Sequence, residues 1–243
     1  MPEQLWFTEL LNHHFGAATT LLLGHLGIHP AYPNAPISNA VAMELLVIGV
    51  LLVFFALVRA SLSVEKPGGL QHSVEAVQEF IAEQAHGVIG HGYERYLPYA
   101  ITVGYFILLS NLLGLVPGFE SPTASPTVPL GCAVVTFVYY HYHGLRTHGV
   151  HYVKQFTGPV WALAPLMIVI EVISHFARIL SLTVRLYANM FAGDMVTVAF
   201  FSLVPVLVPV AFLGLHLFVS LVQTFIFVML TLVYLGMAVS EEH

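Results

Sequence analysis

Long apolar runs dominate the chain and predict helices that cross a membrane. A helix needs about 20 apolar residues to span a hydrocarbon core of roughly 30 Å. The sequence reaches this length in five places, so we predict an all-α membrane protein with five transmembrane helices. The predicted spans are residues 41–60, 97–119, 127–145, 159–203 and 210–239. Residues 1–40 are predicted to form an N-terminal segment on the outer side, and residues 41–243 a single membrane domain.

The last two spans are too long for perpendicular crossings. Residues 195–240 contain no charged side chain, and as one helix they would exceed twice the membrane thickness. Pro205 and Pro209 are the natural place to break such a helix and turn the chain. We therefore predict two long, strongly tilted helices that form a hairpin and wrap along a neighbour.

A different pattern lies between the first two spans, at about residues 70–92. Apolar and acidic positions there fall on two separate faces of a helix, which predicts an amphipathic helix in the membrane interface. The apolar face holds Val74, Val77, Phe80 and Ile81, and the acidic face holds Glu75, Glu79 and Glu83.

The basic residues of the loops predict the orientation. With five spans and the N-terminus outside, every loop cation falls on the inner side, as the positive-inside rule requires. These cations are Arg59, Lys66, Arg95, Arg146 and Lys154. The C-terminus is then cytoplasmic.

The amino-acid composition also indicates that the chain is embedded in a lipid bilayer. Of 243 residues, 58% are hydrophobic and 8% are charged, with a mean hydropathy of +0.84, whereas about a quarter of an ordinary soluble domain is charged. A net charge of −6 without a basic run argues against a nucleic-acid partner. Cys132 is alone, so no internal disulfide can form. The first 40 residues lack Lys and Arg, so no cleaved signal is expected.

Polar residues at helical spacing cross the fourth span as one ridge. Intramembrane charges are costly and normally face a partner or a water-filled path. Within the ridge, Glu171 and Arg178 could instead pair as a structural clamp, whereas Arg185 has no acid within reach on its own helix. The ridge consists of Glu171, Ser174, Arg178, Ser181, Arg185 and Asn189.

The final span carries a matching stripe of His216, Ser220, Gln223 and Phe227. Counting from a turn near residue 207 places Asp194 and His216 at one depth in the outer half, and Gln223 near mid-depth with Arg185. An acid and an imidazole at one level can exchange a proton, since neutral His has both a donor and an acceptor nitrogen. A hydrogen bond that merely holds the hairpin together is the alternative.

Three segments resemble subunit a of the rotary F-type ATP synthases. "LSLTVRLYANMFAGDMV" is similar to the family's signature around its essential arginine, and "FLGLHLFVSLVQTFIFVMLTLVYLGMAVSEEH" to its last helix. "LLSNLLGLVPG" with "SPTASPTVPLG" is similar to its central hairpin. The resemblance covers residues 97–243.

The resemblance implies a non-catalytic stator subunit that translocates ions, most simply protons. Its partners would be a ring of c subunits, the peripheral-stalk b subunits, the other synthase subunits and membrane lipid. The membrane would be a bacterial inner membrane or an equivalent energy-coupling organelle membrane. The sequence has no Gly-rich loop followed by Lys, and neither a cofactor nor a metal is expected.

The resemblance also implies roles for individual residues. Arg185 would face a ring carboxylate and separate two half-channels, since a guanidinium keeps its charge at any physiological pH. Protons would enter past Asp194, His216, Asn189 and Gln223 and leave near Glu171 and Ser174. Secondary roles are expected for Arg178, Ser181 and Asn111, although Asn111 could simply bond a neighbouring helix.

Two other classes of function remain open. "HYHGLRTHGVH" places His141, His143, His148 and His151 in one inner region, which could indicate a membrane-embedded metal enzyme. A proton-coupled secondary transporter is the other alternative, although internal repeats are not apparent.

Overall fold

In this computed structural model the described residues are 4–25, 27, 32, 35–63, 68–116, 118–149, 152, 164–203 and 207–239. For residues 201–203 and 207–209 only the backbone is described. All regular secondary structure in the described residues is helical, in agreement with the predicted all-α class. The following sequence predictions lie outside them: Lys66, His151, Lys154, Pro205 and residues 159–163.

Within the described residues, seven α-helices follow one another. They are α1 (Trp6–His25), α2 (Asn39–Ser61), α3 (Gly69–Ile89), α4 (Leu97–Leu113), α5 (Thr127–His148), α6 (Ala164–Leu203) and α7 (Leu207–Val239). Single 3₁₀ turns at Tyr93–Arg95 and Pro122–Ala124 precede α4 and α5.

Three helices of the described residues are long and apolar enough to cross a membrane. They correspond to the predicted first, fourth and fifth spans, at Asn39–Ser61, Ala164–Phe200 and Val210–Val239. The chain is therefore a helical membrane protein. α4 is apolar but has only 17 residues, and α5 carries several His and Tyr residues in its second half. The total of five spans and the interfacial position of α3 stay predictions.

The helix α4 covers only part of the second predicted span. α4 ends at Leu113, whereas the predicted span continues to residue 119. The reason is a close crossing: a Cβ on Gly114 would come within 2.9 Å of the Ser121 Cβ. The chain turns there to bring Ser121 back against α4, and Gly118 continues the turn with a φ of +88°.

An N-terminal helix was not predicted from the sequence. α1 is joined to the segment before α2 by two hydrogen bonds between the Asn12 amide and the Ile37 backbone, each 3.0 Å long. The Trp6 ring lies 6.0 Å from the Phe119 ring, edge to face. α1 therefore packs on the same end of the bundle as the turn that follows α4.

α6 and α7 run antiparallel as a helical hairpin and pack against α4 and α5. The central cluster contains Leu186, Met190 and Phe227, all fully buried, together with Ile107 and Ala133. A bilayer provides no hydrophobic force between helices, so close van der Waals packing and polar contacts hold this bundle together. The hairpin is thus fixed to the core along one face.

Candidate functional site

The surface of α6 has three distinct faces. One face packs into the core through Leu182, Leu186 and Met190. A second face is apolar and exposed, with Ile173, Phe176, Leu180, Val184 and Phe191. The polar ridge lies between these two faces, and its residues are all half-buried or exposed. The ridge therefore stays accessible from outside the subunit.

Arg185 lies on this accessible ridge. Its guanidinium donates a hydrogen bond of 3.2 Å to the Ser181 hydroxyl, one helical turn away. Among the described residues, no carboxylate comes within 4.0 Å of it. The chain thus holds an intramembrane cation without neutralising it from the described part of its own structure.

Glu171 and Arg178 do not form the structural clamp that the sequence left open as an alternative. Glu171 contacts His175 instead, with 3.4 Å between Oε1 and Nδ1. The Arg178 guanidinium lies over the Tyr234 ring, 5.1 Å from its centroid, in a cation–π arrangement. The two residues therefore have separate partners, on α6 and on α7.

At the opposite end of the hairpin, the structure brings Asp194 and His216 together. Asp194 Oδ1 lies 3.7 Å from His216 Nδ1, and the imidazole is 3% exposed against 29% for the carboxylate. Gly193 makes this approach possible, because a Cβ there would lie only 3.0 Å from His216 Nδ1. The sequence predicted the pair but not the role of the glycine.

A buried polar cluster lies beside Asp194. Asn111 accepts a 2.6 Å hydrogen bond from the Thr123 hydroxyl, and the Ser121 hydroxyl donates to the Ser110 carbonyl at 2.9 Å. The crossing at Gly114 connects the cluster to Asp194, since a Cβ there would lie 3.5 Å from Asp194 Oδ1. Asn111 does bond a neighbouring segment, which is one of its two predicted roles.

Some buried polar atoms of this region have no hydrogen-bond partner within the described part of the chain. They are Ser110 Oγ, Asn111 Nδ2 and His216 Nε2. An unsatisfied buried polar group costs roughly 1–3 kcal/mol. Such atoms are typical of a place that water can reach.

Between the two ends of the hairpin, one amide pair crosses from α6 to α7. Asn189 Nδ2 donates to Gln223 Oε1 at 3.0 Å. Gln223 is buried and Asn189 is exposed, so the pair connects the inside of the bundle to the polar ridge. The other residues of the α7 stripe, His216, Ser220 and Phe227, are buried as well.

A small cavity lies at the Glu171 end of the hairpin. Its free volume is about 30 Å³, which is room for a water molecule. Most of its lining is polar or aromatic: Tyr140, Tyr152, Glu171, His175, Arg178, Tyr234, Met237 and Ala238. Ser174 lies on the ridge between Glu171 and Arg178, half-buried.

His175 is a site residue that the sequence analysis missed. Besides its contact with the Glu171 carboxylate, Nδ1 lies 2.9 Å from the Glu171 carbonyl oxygen. Its ring is 4.8 Å from the ring of His141 on α5. The spacing of four residues between Glu171 and His175 was the available signal, since such residues face each other on a helix.

The histidines of α5 do not gather as the metal hypothesis requires. His141 faces the cavity region through His175, whereas His143 packs against Tyr96 and Tyr139. In the part of the chain that the structure describes, no three His, Cys, Asp or Glu side chains are grouped to hold a metal ion.

Comparison with known proteins finds similarity to subunits of ATP synthases. The family model "ATP synthase A chain" matches residues 41–236. ATP synthase subunit a of Koribacter versatilis is 57% identical over 244 residues, which cover 100% of both chains. ATP synthase subunit a of Solibacter usitatus is 47% identical over 235 residues, or 96% of this chain and 100% of the relative. ATP synthase subunit a 1 of Syntrophotalea carbinolica is 40% identical over 246 residues and 100% of both chains. The chain therefore belongs to the ATP synthase subunit a family.

Proposed function

We propose that this chain translocates protons through two offset half-channels at its interface with a rotating c-ring, and so couples proton flow to rotary ATP synthesis or hydrolysis. The observation that carries the proposal is Arg185, an accessible intramembrane guanidinium for which the described residues provide no counter-ion. A carboxylate on a ring passing the polar ridge would supply the missing charge. Family membership favours this function over the metal-enzyme and transporter alternatives.

The outer half-channel begins at Asp194 and His216. An acid and an imidazole within 3.7 Å can pass a proton through one water molecule or a small side-chain movement. The unsatisfied polar atoms around them support entry of water from the side of Asn111. From there the Asn189–Gln223 pair carries the path from the buried stripe to the exposed ridge.

The inner half-channel opens at the cavity beside Glu171. The carboxylate is 33% exposed and lines a space with room for water. Ser174, on the same ridge, continues the path toward Arg185. A ring carboxylate that reaches this position releases its proton to the inner side.

The two openings are offset both along and around α6. On an ideal helix Glu171 and Asp194 are roughly 35 Å apart along the axis and about 140° apart around it. Arg185 lies between them in sequence and about 180° around the axis from Asp194. A proton can therefore move from one opening to the other only on the ring, while the fixed cation prevents a direct leak.

The transmembrane potential supplies the energy. Each elementary charge that crosses 100 mV yields about 2.3 kcal/mol, so several protons are combined for each ATP. The chain itself is non-catalytic, and the nucleotide sites belong to other subunits. We place it in a bacterial inner membrane, with the N-terminus outside, the C-terminus in the cytoplasm, and the c-ring and b subunits as partners.

Replacement of Arg185 by Ala in the assembled complex tests the proposal. We expect ATP-driven acidification of inverted membrane vesicles to stop, because no fixed cation then displaces the ring proton or separates the half-channels. Arg185→Lys keeps a charge but can lose its proton when desolvated, so pumping should be strongly reduced.

Arg59→Ala is the matched control, since Arg59 is an exposed cation in the last turn of α2. Acidification should continue at the normal rate in this variant. Normal pumping by Arg185→Ala, with the c-ring present in the purified complex, would overturn the proposed function.

A further inference from the structure

The histidines at the inner end of the hairpin are not needed for the function as proposed so far. His175 on α6 and His141 on α5 lie with their rings 4.8 Å apart. His175 contacts the Glu171 carboxylate at 3.4 Å, and His141 Nδ1 lies 2.9 Å from the Tyr152 hydroxyl. The four side chains therefore form a continuous series from the polar ridge to the segment that follows α5.

We propose that His175 and His141 carry protons between Glu171 and the inner aqueous face. This inference rests on the proposed function, because it assigns the path that serves the Glu171 half-channel. In the direction of ATP synthesis, His175 keeps the proton on Nδ1, which donates to the Glu171 carbonyl oxygen. The Glu171 carboxylic acid gives its proton through cavity water to Nε2, the acceptor nitrogen of the neutral ring. That proton then passes from His175 to Nε2 of neutral His141, and the proton on Nδ1 of His141 leaves beside Tyr152, so each ring gains one proton and releases one.

Tyr152 lies at the end of this series that is farthest from Glu171. Burial raises the pKa of its phenol to about 12, with a smaller opposing effect of Arg178 and a smaller raising effect of Glu171. The hydroxyl therefore keeps its proton, and in the proposed path its oxygen accepts a hydrogen bond from Nδ1–H of neutral His141. Nε2 is then the acceptor nitrogen of His141. Gly144 leaves room for the tyrosine, since a Cβ there would come within 2.5 Å of Tyr152 Cε2.

The charges around the pair restrict it to one added proton at a time. Arg178 lines the same cavity and is always cationic. Two imidazolium rings at 4.8 Å beside it would repel one another, whereas the Glu171 carboxylate attracts a single one. The groups that face the pair are Tyr140 from α5, Tyr152 from the following segment, Glu171 and Arg178 from α6, and Tyr234 from α7.

The test compares His175→Gln and His141→Gln with His143→Gln in the whole complex. Inverted vesicles turn the inner face toward the medium, so ATP-driven acidification is measured against the pH of the medium. We expect His175→Gln to slow pumping roughly fivefold. This is less than the 10²–10⁴-fold typical of a direct acid or base, because water in the cavity replaces part of the path. The dependence of its pumping rate on the pH of the medium should also differ from that of the wild type, because an imidazole proton carrier is lost.

His143→Gln is the matched control because His143 lies on the same helix as His141 but packs against Tyr96 and Tyr139 instead of His175. It should keep the wild-type profile. A second readout is chemical rescue: millimolar imidazole should partly restore His175→Ala, whose missing ring enlarges the cavity, and should not restore Arg185→Ala. A structural defect would respond to neither pH nor imidazole in this way.

Two outcomes separate this inference from the proposed function. Wild-type pH profiles in both His175→Gln and His141→Gln, together with loss of pumping in Arg185→Ala, would overturn the inference alone. Pumping by Arg185→Ala would overturn the function itself. If His175→Gln does not assemble with the ring, the profile of His141→Gln decides.

Discussion

The two ends of the α6–α7 hairpin each hold an acid beside an imidazole, but they are built differently. At the end that we propose faces outward, Asp194 and His216 come from two helices, and the imidazole is almost completely buried, at 3% exposure. At the proposed inner end Glu171 and His175 come from successive turns of α6, and the carboxylate is one-third exposed. The outer pair depends on how the hairpin packs, whereas the inner pair is set by the helix alone.

Because of this difference, we expect the two pairs to respond differently to substitution. Gly193 allows α6 to approach His216. A side chain added at position 193 would therefore disturb the outer pair without changing Asp194 or His216. The inner pair lines a cavity with room for water, which can replace part of a lost side chain. We therefore expect larger losses at the outer end than at the inner end.

Among substitutions at the two ends, the largest effect is expected from Asp194→Ala or His216→Ala. Proton entry should fall about 10²-fold in either variant, as for a directly acting acid or base, and the double variant should be little slower than each single one. Proton flux through the membrane sector in potential-loaded vesicles measures this. Met195→Ala, an exposed neighbour, is the control, and unchanged flux in both single variants would reduce the pair to a packing contact.

A smaller effect is expected from Glu171→Gln. The variant keeps the shape of the side chain and removes its charge, and flux should fall about tenfold, below the usual range for a direct base because cavity water substitutes. The same flux measurement applies, with the exposed Glu79→Gln on α3 as control. A loss as large as that of Asp194→Ala would contradict the difference between the two ends.

The smallest effect is expected from Gly193→Ala. The new methyl group must displace the His216 ring by a few tenths of an ångström. Since a displacement of 1 Å can cost about 10²-fold in rate, flux should fall only about fivefold. Gly214→Ala is the matched control, because nothing lies within 4 Å of a Cβ at that position of the same hairpin. Equal rates for the two glycine variants would show that the ring position is not limiting.

Helical spacing and chain counting predict much of the candidate site. The ridge on α6 follows from steps of three and four residues, and the count from the hairpin turn places Asp194 opposite His216. The same count sets Gln223 at the depth of Arg185, whereas its direct partner is Asn189, one turn away. Counting residues along two helices predicts the approximate depth of each side chain in the membrane. It does not predict which turn of the neighbouring helix makes the contact.

Contacts that depend on other elements are not visible in the spacing. In the sequence His175 is one residue within an apolar stretch, and nothing in its spacing indicates the contact with His141. That contact exists because α5 packs beside α6. The end of α4 at Leu113 depends on the return of Ser121 against Gly114. The helix α1 is held by amide bonds from Asn12 to a distant backbone. Each of these features is set by tertiary approach rather than by local pattern.

The uncompensated cation on α6 also bears on how the complex is put together. A guanidinium that faces lipid costs at least about 2.5 kcal/mol, and the described residues of this chain do not offset it. The subunit inserted alone is therefore expected to be less stable than the same subunit beside its ring. Biogenesis would then favour rings that are complete before this chain arrives, and unassembled copies would be the natural substrates of membrane proteases.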